Sequence, residues 1–131
     1  MIVRCIKIIS SATGKDLGDK SPWLTVGSEY FVFALRLSIR HKGDLQYLIE
    51  TDQDGELGFF SSSQFKIVSG YLPSTWKANY DVDGCFVLMP PSWFSEAFLE
   101  GMDEGTDEAM ALFEKEKLLM LKEEGLIPRD S

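Results

Sequence analysis

The sequence predicts an α+β fold: a small, antiparallel, strongly bent β unit followed by one short and one longer C-terminal helix. Three observations carry that expectation. Residues 2–89 hold short β-branched and aromatic runs separated by Gly- and Asp-containing turns. Residues 92–125 change to helical spacing with cap residues at their starts. The length of 131 residues and an apolar content of 44% suit one domain, residues 1–131, with one sizeable core.

Ile2 to Ile9 is β-branched with apolar residues on both faces, apart from Arg4 and Lys7, and reads as a strand inside a sheet. Ser10 to Pro22 is a polar loop. Its Gly14-Lys15 pair lacks the spacing of a phosphate-binding loop. In Glu29–Ile39, Phe31, Phe33, Leu35, Leu37 and Ile39 share one face. The first half is apolar on both faces and the second half on one, as expected of a long strand bent between two sheets.

His41-Lys42-Gly43-Asp44 is a hairpin signal. Leu45 to Thr51 alternates, and Asp52-Gln53-Asp54-Gly55 turns the chain, with Gly55 supplying the positive φ of a tight hairpin. Glu56 to Phe60 returns, Ser61-Ser62-Ser63 makes a single helical turn, and Gln64 to Ser69 is the next strand. Leu72 to Gly84 reads as a structured connection. Asp83-Gly84 is a second hairpin signal before the strand Cys85 to Met89, which Pro90-Pro91 ends. Ser92 is expected to cap a short helix over Trp93 to Glu100, punctuated by Gly101 and Gly105. Thr106 caps a longer helix, with Asp107 and Glu108 in its first turn and Gly125 as its stop.

The net charge of −8 argues against nucleic acid or an anionic membrane as partner. The charge is uneven: residues 1–42 carry seven basic and three acidic residues, residues 43–95 two and seven, residues 96–124 three and ten. The start MIVRCIKIIS has no cleavage-like site, and no run reaches the roughly 18–20 apolar residues of a membrane span. A soluble, cytoplasmic protein is expected. Cys5 and Cys85 sit in apolar runs without a C-x-x-C pair and read as buried free thiols.

The motifs for chemistry are incomplete. Aligned as a calcium loop on Gly55, the turn offers Glu50, Asp52 and Asp54 but places Ser61 where a bidentate Glu belongs. Glu50 and Glu56 lie in neighbouring strands and form the one carboxylate pair to weigh for a small hydrolase. His41 is the only histidine, so it lacks partners for an ordinary zinc site, and Ser or Cys nucleophiles have few candidate bases. No catalytic residue, metal ligand or cofactor is expected.

Two segments carry a resemblance. Leu24-Thr25-Val26-Gly27-Ser28-Glu29-Tyr30-Phe31-Val32 resembles the stretch of SH3-like barrels where a Gly-containing turn introduces the first long strand. Glu56 to Val68 resembles their final part, a strand leading to a one-turn 3₁₀ helix and a closing strand, with Gly58 at a close backbone approach and Phe65 and Val68 at core positions. The likeness covers residues 24–70 and implies an SH3-like β-barrel or strongly bent sheet. The proline-peptide site of signalling SH3 domains is not recognisable in it. In style the chain is also similar to small acidic immunity proteins of contact-dependent and other polymorphic bacterial toxin systems. That resemblance implies a non-catalytic inhibitor that binds a basic, nuclease-type toxin tightly and occludes it.

On this reading Asp52, Asp54, Glu56, Asp81 and Asp83 meet toxin Lys and Arg. Trp76 and Trp93 are aromatic anchor candidates, and the same two residues also suit the core. The alternatives are an intracellular adaptor or regulatory domain that uses its C-terminal helix as the contact, and the hydrolase built on Glu50 and Glu56.

Overall fold

The computed structural model describes residues 1–10, 12–38, 43–81 and 83–126, so His41 lies outside the described residues. The elements run β1 (Ile2–Cys5), β2 (Glu29–Phe31), β3 (Ala34–Ser38), β4 (Asp44–Glu50), β5 (Leu57–Ser61), a 3₁₀ turn (Ser62–Gln64), β6 (Phe65–Ser69), β7 (Lys77–Tyr80), β8 (Phe86–Met89), a 3₁₀ turn (Pro91–Trp93), α1 (Glu96–Glu104) and α2 (Asp107–Glu123).

Two antiparallel sheets result, with orders β2-β1-β6 and β5-β4-β3-β8-β7. The strand expected to bend does so. Glu29–Phe31 pairs with β1, the chain passes from one sheet to the other at Val32 and Phe33, whose N–H groups donate to the Met1 and Leu48 carbonyls at 2.9 Å each, and Ala34–Ser38 pairs with β4 and β8. Val32 and Phe33 are buried at that bend, which accounts for the apolar residues on both faces of this stretch. Among the described residues no ladder joins the outer strands of the two sheets, so the unit is a strongly bent pair of sheets and not a closed barrel.

The β4–β5 hairpin forms as expected. Thr51 N–H donates to the Glu56 carbonyl at 2.8 Å, and Asp54 and Gly55 take positive φ of 55° and 71°. At Gly58 a Cβ would lie 2.9 Å from the Phe60 ring, so only glycine fits without displacing that ring. Ser61 caps the 3₁₀ turn, its Oγ accepting from Ser63 N–H at 3.3 Å.

Several boundaries differ from the sequence expectation; the serine turn, for one, is Ser62–Gln64 and not Ser61–Ser63. The first strand stops at Cys5, because Ile6 and Lys7 turn their N–H groups to the single carbonyl of Gln64 in place of a ladder. The short helix starts later, capped by Ser95 and not Ser92, and ends at Gly105 with φ 71°. Gly101 is inside that helix, buried, where a Cβ would meet Ala109 and Thr106 at 2.7 Å; it is a packing glycine and not a stop. Lys77–Tyr80 is a strand where only a connection was expected.

Trp76 and Trp93 are 7% and 1% exposed, which settles their place in the core. Trp93 stacks between Phe98 and Phe113 at 5.4 Å from each. Phe113 in turn meets Phe33 edge-on at 5.1 Å, and Ala109 and Met120 of the same helix are buried with it. Lys117 pairs with Glu50 at 2.9 Å, and Glu123 accepts from Tyr71 Oη and from Ser74. The helix α2 is thus a wall of the core. A chain truncated after Pro91 is expected to lose its cooperative thermal transition in circular dichroism. A sharp transition retained by residues 1–91 would contradict that.

Candidate functional site

Register places the acidic turns. At one end of the larger sheet Ala34 faces Leu48 and Glu50 faces Leu57, so the turn holding Asp52, Asp54 and Glu56 is there. At the other end Ser38 faces Asp44 and Phe86 faces both Leu37 and Tyr80, so the turn holding Asp81 and Asp83 is there. The five acidic candidates therefore lie at opposite ends of the sheet and do not form one surface.

Their local roles differ too. Asp52 is turned onto the protein: Thr25 Oγ1 donates to Oδ2 at 2.7 Å, Tyr30 Oη donates to Oδ1 at 3.0 Å, and Asp52 N–H donates to the Trp23 carbonyl at 2.9 Å. It ties the loop after β1 to the β4–β5 turn. Burial, with the neighbouring Asp52 carboxylate adding to it, raises the Tyr30 phenol above its ordinary value. Asp52→Ala is expected to lower stability by about 1–2 kcal/mol through these lost bonds, read as a shift in urea midpoint at unchanged slope. Asp54 and Glu56 are exposed. Asp81 Oδ1 accepts from Asp83 N–H and Cys85 N–H, both at 2.9 Å, and so holds the β7–β8 turn. Asp83 is exposed on that turn.

The remaining sequence candidates are dispersed. Glu50 is held by Lys117, while Glu56 lies beyond the strand end, and neither lines a cavity described below. Among the described residues no three His, Cys, Asp or Glu side chains converge. Cys5 and Cys85 are buried free thiols, and burial raises the Cys5 thiol.

Two surfaces do present chemistry. The first is a sheet face. Cross-strand partners share a face, so register sets Leu37, Leu45, Phe86 and Tyr80 side by side, with Leu35, Leu88 and Ala78 next to them. Further along, the same face is covered: Tyr47 and Ile49 are buried, and Tyr47 meets Phe65 of β6 at 5.8 Å. At β3, β8 and β7 the cover ends. Tyr80 is 69% exposed, Leu37 40% and Phe86 37%, and Tyr80 meets Phe86 edge-on at 5.9 Å. The turn carrying Asp81 and Asp83 borders this apolar patch.

The second is a groove of about 670 Å³ between the loop after β1 and strands β4 and β5. Its apolar lining includes Ile8, Leu17, Trp23, Leu24, Phe59 and Phe60, and its polar wall includes Asp44, Gln46, Ser61, Ser63 and Gln64. Asp44 Oδ1 accepts from Ser61 Oγ at 2.9 Å. The Arg36 guanidinium sits 3.9 Å over the Phe59 ring and donates to Gln46 at 2.9 Å. Trp23, unlike the other two tryptophans, is 45% exposed.

Sequence reading missed Tyr80, Phe86 and Leu37 as surface residues. A usable signal was present: a hairpin turn at Asp83-Gly84 requires a strand before it, which puts Tyr80 opposite Phe86. No helix among the described residues is long and apolar enough to cross a membrane. Comparison of the chain with protein-family models, with curated proteins and with solved structures gives no match.

Proposed function

We propose that this chain is a non-catalytic binding protein whose contact face is the apolar end of the larger sheet. In its most concrete form it is an immunity protein that neutralises a basic, nuclease-type bacterial toxin in the cytoplasm. The observation that supports this is the exposed cluster of Tyr80, Phe86 and Leu37 beside the acidic turn of Asp81 and Asp83. Exposed apolar patches rimmed by polar residues are a mark of protein interfaces. Acidic rim groups and a net charge of −8 favour a basic partner, speeding encounter and fixing orientation. The apolar patch then supplies the buried centre, with an aromatic anchor in Tyr80. Occlusion of the toxin's active site or of a neighbouring surface is the whole mechanism, so no reacting group is needed.

Pulldown from the native host, with a neighbouring toxin gene deleted as control, tests this. The expected result is a basic protein whose activity stops at one equivalent of this chain. A captured partner whose activity is unaffected at saturation would remove the inhibitor reading.

A second reading, an adaptor domain, is favoured by the groove: its volume lies within the range of sites that hold small ligands or short segments, and Trp23 is open in it. Tryptophan emission separates the two, since Trp76 and Trp93 are buried. A partner in the groove shifts the emission of Trp23, and one on the sheet face leaves it unchanged.

A further inference from the structure

We infer that β7 is a docking edge for a second copy of this chain, joining two five-stranded sheets into one continuous sheet. All four residues of β7 are exposed, and the strand is the outermost of its sheet. Its hydrogen-bonding groups can be assigned. Asp81 N–H donates to the Cys85 carbonyl at 2.9 Å, which makes Asp81 a bonded partner of Cys85. Bonded and non-bonded pairs alternate along an antiparallel ladder, so Asn79 and Lys77 also turn their backbone groups toward β8. The N–H and carbonyl groups of Ala78 and Tyr80 are left on the outer edge. In keeping with this, the Tyr80 N–H donates to the adjacent Asn79 side chain at 2.8 Å.

An unpaired edge of this kind is a template for another strand. One antiparallel register makes the strand complementary to itself. Centred on Asn79, it sets Ala78 of each copy against Tyr80 of the other: the Ala78 N–H finds an acceptor, and the Tyr80 N–H exchanges its Asn79 Oδ1 partner for the Ala78 carbonyl of the second copy. The small Ala78 leaves room for the Tyr80 ring of the second copy on the same face. Lys77 of each copy then stands opposite Asp81 of the other in a non-bonded pair, where side chains approach most closely. That places the one cation of β7 against an acidic residue twice over. Shifting the register by two residues one way sets Tyr80 against Trp76, whose N–H is already donated to the Pro73 carbonyl at 3.2 Å; the other way sets the two Tyr80 residues opposite each other and loses both the Ala78–Tyr80 and the Lys77–Asp81 matches. The two-fold axis runs perpendicular to the sheet, so both apolar patches come onto one side, with the Tyr80 rings near the centre. The pairing stands independently of what the patch binds.

Sedimentation equilibrium of the full chain tests it. The expected result is a dimer at high micromolar concentration. Ala78→Pro removes an outward N–H that the fold does not use; it is expected to yield a folded monomer. Lys77→Glu is expected to weaken the dimer by about tenfold or more, because it sets like charges opposite each other twice. A wild-type monomer at high micromolar concentration overturns the proposal, and so does an Ala78→Pro chain that stays dimeric. If Ala78→Pro does not fold, amide exchange of the wild type decides. Protection of Ala78 and Tyr80 that rises with protein concentration supports the pairing, and protection independent of concentration overturns it. An Ala78→Pro monomer that still captures a basic partner separates the dimer from the proposed function.

Discussion

Trp93→Ala is expected to lower stability by about 3–5 kcal/mol, the range for removing a large aromatic side chain from a core. Trp93 is 1% exposed and lies between two near-parallel rings, Phe98 with an interplanar angle of 2° and Phe113 with 24°. Those rings come from different helices, so the indole joins α1 to α2, and Phe113 passes the contact on to Phe33 at the sheet bend. Its Nε1 has no hydrogen-bond partner among the described residues, so the loss is one of packing and cavity formation. Urea unfolding followed by far-UV circular dichroism reads the change, and a midpoint within error of wild type would contradict the placement. Any loss of partner binding in this variant follows from unfolding and not from a missing contact.

Tyr80 and Phe86 make the opposite case. Replacing both with alanine is expected to leave the melting temperature nearly unchanged, since Tyr80 is 69% and Phe86 37% exposed. Partner affinity is expected to fall by about 30-fold or more, the cost of losing an aromatic hot spot of about 2 kcal/mol. The effect should appear mainly in the dissociation rate, because the apolar centre of an interface governs residence. Surface plasmon resonance with the captured toxin domain measures it. A thirtyfold loss with an unchanged melt assigns the effect to contact, whereas a parallel drop in melting temperature would assign it to the fold.

The sequence was informative wherever a local pattern and the tertiary setting agree. The Asp54-Gly55 turn and the Thr106 cap follow from local conformational preference, and the structure has both; the serine turn is present one residue later than expected, at Ser62–Gln64 with Ser61 as its cap. Where tertiary packing decides, local reading fell short. Lys77-Ala78-Asn79-Tyr80 has no apolar alternation and reads as a connection; it is a strand because β8 offers it a ladder. Gly101 reads as a helix stop, but its lack of a side chain serves the contact with Ala109. Serine can cap from several positions before Glu96, and packing of Trp93 into the core draws Ser92 into the 3₁₀ turn and leaves the cap to Ser95.

The candidate site was less legible than the fold. Acidic residues were visible, but charge in a sequence carries no position. Only the register shows that Asp54 and Asp83 stand at opposite ends of one sheet. Asp52 shows a second limit, since a carboxylate in a turn looks the same in sequence whether it faces solvent or accepts from Thr25 and Tyr30. The tryptophans show a third. Hydrophobicity alone does not separate Trp93, buried between rings, from Trp23, open on a groove.

The most direct measurement compares charge and shape at the two ends of the sheet. Binding of the captured basic partner is measured for a Tyr80→Asp, Phe86→Asp chain and for an Asp54→Lys, Glu56→Lys chain, each first shown to melt like wild type. The account predicts that the first pair abolishes binding, while the second leaves the dissociation rate as it was. Binding lost at Asp54 and Glu56 but kept at Tyr80 and Phe86 would contradict the account and move the contact to the other end of the sheet.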